Sequence, residues 1–586
     1  MADPRDEETR PAVTLNRSEL PQMSGNERIK AASQGLYYVG GGKGEPHSFI
    51  DEVEALERGE SPTISHEAKE LSKFFGIYKQ QGRTDRGKKT DDYFFMVRIK
   101  NPAGGALSAA QWVALDEAAE RFADGSVRLT SRQGVQYHRV YGTQLAPLVR
   151  HLNRHYRERG TLGACGDVNR NVMCSPIDEL DPAHEVRAGE LARAIAEDLS
   201  PRSSAYFQIW ISDEEGRNRG VVSSDEPVYG DTYLPRKFKI GIAHPRDNSI
   251  DVLTQDVGFV PVEVEGRADG SAFDLYTGGG LGLTHNKPAT AALLALHLGR
   301  VRREQVVEAA RAIAILQKEN GERKDRRQAR WKYTLRRLGL EAVKQELKTR
   351  FHLELEEAPP RPLPPLDLHL GWHEQRGGLS YCGISIENGR IQPPLRRAIR
   401  EAVEAHQLQV VLTPQQDLIL AGARDRDAVQ RILDAHGVAR PDAISRVRRN
   451  AMACPAKPTC GLAMTEAERI LPRYVDAIEE AGYGDVDAVI RMTGCPNNCA
   501  RPPTAEIGIY GYGKNDHVIL VGGARDGSRL ARTLYGRLPE EQMIPALVGL
   551  FRAIAERNRD ALPVGEFLHR SDPEQLRTWI GLEGAE

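Results

Sequence analysis

The sequence of 586 residues has no run of eighteen apolar residues, so it offers no membrane-spanning helix. Its N-terminus, MADPRDEETRPAV, lacks the apolar core of a secretory signal. Neither sign of charge is in excess: 80 Lys and Arg stand against 82 Asp and Glu, a net charge of −2. That balance gives no support for a nucleic-acid partner. Cysteine is scarce and odd in number, seven in all, and points to a reducing cytoplasm. Nucleotide loops are missing too. No G-x-G-x-x-G follows a strand pattern, and GIYGYG (Gly508–Gly513) has its glycines in the wrong order. GGGKG (Gly40–Gly44) has no Ser or Thr after Lys43 and reads as a turn, not a phosphate loop.

What is present is concentrated. Four of the seven cysteines fall between Asn450 and Arg501, in two pairs: Cys454 and Cys460 in AMACPAKPTCGLAM, Cys495 and Cys499 in RMTGCPNNCAR. Four thiolates are what an iron–sulfur cluster or a structural zinc needs, and the five-residue gap of the first pair is loose for zinc. Pro455, Pro458 and Pro496 keep both segments out of regular helix, as a loop around a cluster requires. Cys165, Cys174 and Cys382 are left over.

The length calls for about three domains. Residues 1–70 read as a loosely packed arm. After it come a strand (Phe94–Lys100), an amphipathic helix carrying Trp112, Leu115, Ala119 and Phe122, and two strands (Ser126–Thr130, Val135–Val140). The pattern returns as LSYCGIS, PLRRAIREAVEAH, VVLT and DLILAG. Val127–Gln133 echoes Val410–Gln416, 283 residues on, and Asn169–Pro176 echoes Arg448–Pro455, 279 residues on. Two echoes at nearly one offset indicate a duplication and an α+β, pseudo-twofold molecule with a central cleft. Ala289–Gly299 and Arg302–Gln317 read as helical, and APPRPLPPLDL (Ala358–Leu368) as the connector between the halves. The divisions expected are 1–70, 71–150, 151–355, 356–436 and 437–586.

Cations gather in short motifs. LTSRQGVQYH holds Arg132, Gln136 and His138; CGDVNRNVMC holds Arg170; FFMVRIK holds Arg98; YLPRKFKIGIA holds Arg236, Lys237 and Lys239. On a strand Lys237 and Lys239 share a face, and two like charges facing inward are costly unless an anion pairs them.

The C-x5-C then C-x3-C order in its TGCPNNC setting resembles the sulfite and nitrite reductase family, whose enzymes couple a 4Fe–4S cluster to sirohaem. The resemblance runs from about residue 70 onward, through TGGGLGLTH (Thr277–His285), QKENGERKDRRQARWKY (Gln317–Tyr333) and AEIGIYG (Ala505–Gly511). It implies two ferredoxin-like half-domains and two larger α/β domains around a cofactor cleft. It implies that Cys454, Cys460, Cys495 and Cys499 ligate the cluster, with Cys499 bridging to the sirohaem iron. Arg98, Arg170, Lys237 and Lys239 would surround the substrate; Arg128, Arg132, Gln136, His138 and Arg236 would hold the macrocycle's carboxylates. Ser131 departs mildly from the Asn or Thr of many relatives.

Lys239 favours sulfite over nitrite, since ferredoxin–nitrite reductases tend to carry Asn there. The product would be sulfide, with nitrite a slower alternative substrate. Electrons would come from a separate donor. LGWHEQRGGLSYCGISIENGRI and TLGACGDVNRNV look more like the ferredoxin-dependent branch than the NADPH-dependent haemoprotein subunit, whose donor is a flavoprotein. Arg323, Lys324, Arg326, Arg327 and Arg330 are candidates for a docking patch. Tyr78 and Cys165 match a pair joined as a thioether in some relatives. Both repeats lie in one chain, which favours a monomer over a paired dissimilatory subunit. The rival class is a non-catalytic iron–sulfur or sirohaem electron carrier.

Overall fold

The computed structural model describes residues 36–38, 46–83, 88–155, 161–162, 168–201, 227–230, 233–262, 269–284 and 287–582. Gly40–Gly44, Cys165 and His285 lie outside them, so the expected turn and thioether fall beyond the described residues. No helix among the described residues is long and apolar enough to cross a membrane.

The duplication is visible strand by strand. The first half-domain orders its strands Ile77–Arg83, Lys89–Lys100, Val135–Val140, Val127–Leu129, each antiparallel to the next. The second orders Gly371–Gln375, Leu379–Ile384, Leu418–Ala423, Gln409–Leu412 in the same way. Helix Ala109–Phe122 matches Pro393–His406. The first starts at a capping box between Ser108 and Gln111, the second at two prolines that need no helical N–H partner. Each half lends a segment to the other. Arg390 and Ile391 pair with Arg128 and Val127, while Leu107 and Val410 exchange N–H···O bonds of 2.8 and 2.9 Å.

Two five-stranded sheets repeat likewise. Met173–Cys174, Ile240–Ile242 and Val257–Pro261 run parallel, followed by antiparallel Ala272–Thr277 and Leu296–Arg302. Ala451–Ala453, Ile490–Thr493, Ile507–Gly513, Asp516–Val521 and Arg532–Pro539 reproduce that order and polarity. Single hydrogen bonds repeat as well. Thr130 N–H donates to Gly134 O as Thr413 N–H donates to Asp417 O, both at 2.9 Å. Lys239 N–H donates to the Asp256 carboxylate as Val489 N–H donates to that of Glu506, again both at 2.9 Å. The offset falls from 279 to 250 residues because the first copy is longer between Cys174 and Ile240.

Apolar residues form two main cores. One joins both half-domains and the first large sheet, from Val53 to Leu433; the other runs from Val447 to Ile580. The first contains Val53, Leu56, Ile64 and Ala68, so the end of the expected loose arm is instead the helices Phe49–Glu57 and His66–Ser72, packed on the half-domain. Ala289–Gly299 is not a helix. Residues 289–295 are a loop and Leu296–Arg302 a strand. Ala and Leu favour helix, but tertiary partners take these backbone groups. Gly280 and Leu293 exchange hydrogen bonds, Ala295 N–H donates to Leu253 O, and Lys332 Nζ takes the Ala291 carbonyl. Helix Val306–Asn320 does form.

Candidate active site: four thiols beside buried cations

Both cysteine pairs leave one edge of the second large sheet. Cys454 follows strand Ala451–Ala453 and Cys495 follows its parallel neighbour Ile490–Thr493. The carboxyl ends of parallel strands are where such sheets hold ligands. Cys454 and Cys495 are buried, Cys460 is half-buried and Cys499 is exposed. The Cys454 sulfur accepts from Gly494 N–H and the Cys495 sulfur from the Asn497 amide, each at 3.5 Å. Burial raises the thiols of Cys454 and Cys460 and lifts Cys495 to about 11, and Cys499 adds to all three. Four thiols that resist each other's ionisation form one group in space, and a bound metal reverses that resistance. No three of these sulfurs lie mutually within 4.8 Å. One tetrahedral zinc, with bonds of about 2.3 Å, would draw them to about 3.8 Å. Four thiols on two loops at the ends of neighbouring strands are a donor set that fits a polynuclear iron–sulfur cluster.

The first half-domain grips these loops by their carbonyls. Arg128 Nη2 donates to Ala453 O at 2.9 Å, Gln80 Nε2 to Thr459 O at 2.6 Å, and Ser131 Oγ to Cys499 O at 2.9 Å. Glu468, beyond Cys460, is held by Arg128 Nε at 3.3 Å and Arg390 Nε at 2.7 Å. From the first large domain, Leu283 N–H donates to Pro496 O at 3.0 Å, and Leu281 O accepts from the Asn498 amide at 2.9 Å. The glycines of this TGGGLG loop let it pack closely on its own domain: a Cβ on Gly279 would stand 2.2 Å from Leu253 O.

A cationic surface faces the thiols, and strand alternation builds it. Val97, Ile99, Val127, Leu129, Val135 and Tyr137 enter the apolar core, so Arg98, Lys100, Arg128, Gln136 and His138 take the opposite face. Arg98, Gln136, Arg128 and Arg390 are directly paired across four neighbouring strands, one continuous polar row. The Gln136 amide turns its oxygen to the Arg98 guanidinium, which also lies 5.5 Å over the Tyr78 ring. His138 Nδ1 lies 3.2 Å from Arg390, and burial among Arg390, Arg128 and Arg98 holds the imidazole neutral. Phe238 is fully buried, which turns Lys237 and Lys239 the other way; its carbonyl accepts from Arg170 N–H at 2.9 Å.

These cations repel one another. Burial and then Arg170 push Arg98 down to about 10, Arg132 to about 9 and Lys100 to about 8. Burial, Arg330 and Arg236 bring Lys237 to about 7, partly opposed by Cys499. Burial, Arg132 and Lys237 drive Lys239 well below its usual value. Arg128 Nη1 and Arg132 Nε are buried N–H groups without a hydrogen-bond partner. A surplus of crowded donors and positive charge is what a polycarboxylate macrocycle and a small oxyanion satisfy, so the residues fit sirohaem.

The structure brings Arg98, Arg132, Arg170, Arg236, Lys237, Lys239 and Cys499 into this one electrostatic neighbourhood. Arg128 and His138 stand at its edge, in the Glu468–Arg390 network. Sequence reasoning missed several members. Arg330, expected in a docking patch, is 6% exposed and instead grips both oxygens of Asp256 at 3.0 and 2.9 Å. Lys332 is buried and donates to Gly280 O and Gly282 O at 2.9 and 2.8 Å. The R-x-K alternation in RQARWKY was the available signal, parallel to R-K-x-K. Lys100 shares the V-R-I-K alternation with Arg98; Asp256 and the clamp residues Gln80, Arg390 and Glu468 carried no signal.

Comparison with known proteins agrees with this geometry. The family model for the nitrite and sulphite reductase 4Fe–4S domain matches residues 165–355, and that for the nitrite/sulfite reductase ferredoxin-like half domain matches both 86–155 and 373–436. The chain is 38% identical over 535 residues to the sulfite reductase [NADPH] hemoprotein beta-component of Geobacillus kaustophilus, covering 89% of this chain and 92% of that one. It is 37% identical over 575 residues to the sulfite reductase [ferredoxin] of Synechococcus elongatus, covering 93% and 91%. The fold is shared with Mycobacterium tuberculosis NirA at a TM-score of 0.72 and 23% identity, over 90% of this chain and 95% of that one. The chain belongs to the sulfite and nitrite reductase family.

Proposed function

We propose that this protein reduces sulfite to sulfide, with electrons from a separate donor protein. The observation that carries the reading is the crowd of cations beside Cys499, depressed by burial and then by one another, a cost that an anion relieves. When bound, the sirohaem and the 4Fe–4S cluster supply the iron centre and the electron store. The chain supplies charge, orientation and protons. Converting the sulfite dianion to hydrogen sulfide and three waters takes six electrons and eight protons. Arg98 and Arg170 are the fixed charges that hold the oxyanion, since guanidinium does not release its proton. Lys237, at about 7, exchanges protons near neutral pH, and it and Lys239, which burial, Arg132 and Lys237 hold well below the usual lysine value, are the proton donors. Arg330, anchored by Asp256, keeps both lysines poised low. Cys454, Cys460, Cys495 and Cys499 hold the cluster, with Cys499 on the side facing Arg98 and Lys237. Arg132, Arg236, Gln136, Arg128 and His138 form the wall that receives the macrocycle's carboxylates.

Sulfite is favoured over nitrite because its dianion calls for a second ammonium, which Lys239 provides. Ferredoxin is the donor we favour, on the resemblance of Leu370–Ile391. A flavoprotein subunit is the rival, and relatives named for each match almost equally. The test compares sulfite and nitrite turnover with reduced methyl viologen in wild type and Lys239→Asn. Sulfite turnover is expected to fall at least tenfold more than nitrite turnover; equal losses would remove Lys239 from the discrimination.

A further inference from the structure

The pseudo-twofold relation assigns a mate to each cluster position. Cys454 N–H donates to Met492 O at 3.1 Å; in the other half Ser175 N–H donates to Ile242 O at 3.2 Å. Cys460 N–H donates to Ala456 O at 2.6 Å, and Asp181 N–H donates to Ile177 O at 2.8 Å. Arg501 N–H reaches Asn498 O as Asp251 N–H reaches Asn248 O, which sets Ser249 against Cys499 and Pro245 against Cys495. The mate cradle keeps these backbone hydrogen bonds and has oxygen in place of sulfur at Ser175, Asp181 and Ser249, with proline at the fourth position. Ser175 and Ser249 both donate to Asp247 Oδ2, at 2.6 and 2.7 Å.

Asp181, on the mate of a cluster ligand, is the centre of a compact donor group. Its Oδ1 accepts from Ala183 N–H at 2.9 Å and Arg246 Nη1 at 3.1 Å. Its Oδ2 faces His184 Nδ1 at 3.1 Å and His244 Nε2 at 3.7 Å. The three donor atoms lie within 4.8 Å of one another, and no other such group occurs among the described residues. His244 is fully buried and its Nε2 has no hydrogen-bond partner. Beside them opens a cavity of about 200 Å³ that Asp181 and Arg246 help to line.

We propose that Asp181, His184 and His244 bind a divalent first-row cation of the zinc class in this mate cradle. One carboxylate and two imidazoles are a donor set for such ions. Bonds of about 2.0–2.2 Å place tetrahedral donors roughly 3.3–3.6 Å apart, which the spacings of 3.1 and 3.7 Å bracket. Arg246 and the Ala183 amide hold the carboxylate through Oδ1, which leaves Oδ2 to the two imidazoles. Ligation through His244 Nε2 moves the ring proton to Nδ1 and gives up the 3.3 Å contact with Arg246 N–H, a long bond. This site stands apart from the thiols and does not depend on which oxyanion the enzyme reduces.

The test uses the iron-loaded holoenzyme, whose cluster thiols are occupied, equilibrated with zinc chloride and then passed through metal-free buffer. Elemental analysis is expected to find one zinc per chain in wild type and at least a tenfold loss of zinc affinity in both His184→Ala and Asp181→Asn. His184 is partly exposed, so His184→Ala spares the buried core; unchanged iron and labile-sulfide content verifies its fold. Wild type without zinc, or His184→Ala that retains it, would overturn the proposal.

Discussion

At the scale of single residues, the site is a problem in crowding. Lys237 loses its charge near neutral pH because it is buried beside Arg330 and Arg236. An anion restores that charge, so anion binding takes up a proton whenever the pH is above about 7. Below that pH the ammonium is already formed and affinity is independent of pH; above it, affinity falls. Sulfite itself titrates in this range, so nitrite, whose charge is constant there, is the cleaner probe. Its KM is expected to be flat below pH 7 and to rise by about tenfold per unit above it. Lys237→Met should flatten the rising limb, and a wild-type KM independent of pH would contradict the role. Much of this was legible in the sequence, because R-K-x-K and the alternating V-R-I-K and V-Q-Y-H strings announce cations on one strand face. Arg330 was not: its charge reads as surface until Asp256, 74 residues away in the chain, is known to face it.

At the scale of elements, the strands of the first half-domain do two things with two faces. One closes the core against helix Ala109–Phe122; Tyr137, for example, donates to Leu115 O at 2.7 Å. The other grips the cluster loops through Gln80, Arg128 and Ser131. Arg128→Met leaves Glu468 with Arg390 alone and Ala453 O without its donor. It should cost about 3 kcal/mol, at the low end for breaking a buried ion pair. Ser131→Ala removes one neutral hydrogen bond and should cost about 1 kcal/mol. Iron release to a chelator is therefore expected to be much faster in Arg128→Met than in Ser131→Ala; equal rates would show that the clamp does not hold the loop. The strands, helices and their duplication followed from periodicity and two short echoes. The segment Ala289–Gly299 did not, because its strand is imposed by Gly280, Leu253 and Lys332, partners no local pattern can reveal.

At the scale of the whole molecule, a duplicated frame carries two unlike cradles: one with four thiols beside cations, its mate with serine, aspartate and histidine. The thiol cradle comes close to the surface at Cys460, where Leu462 is 73% exposed. Among the described residues it is the most open large apolar side chain, and a protein donor is expected to cover it. Leu462→Asp should lower turnover with reduced ferredoxin several-fold and leave methyl viologen-driven turnover unchanged. Equal effects on both would place the donor elsewhere.

The central claim is that the cations and the thiols act on one oxyanion as a single reducing centre. Its most direct measurement is the ratio of methyl viologen oxidised to sulfide released by anaerobic holoenzyme supplied with sulfite. The account predicts six one-electron equivalents per sulfide, with no sulfur product released on the way. Viologen oxidation without sulfide, or with nitrite alone, would contradict it.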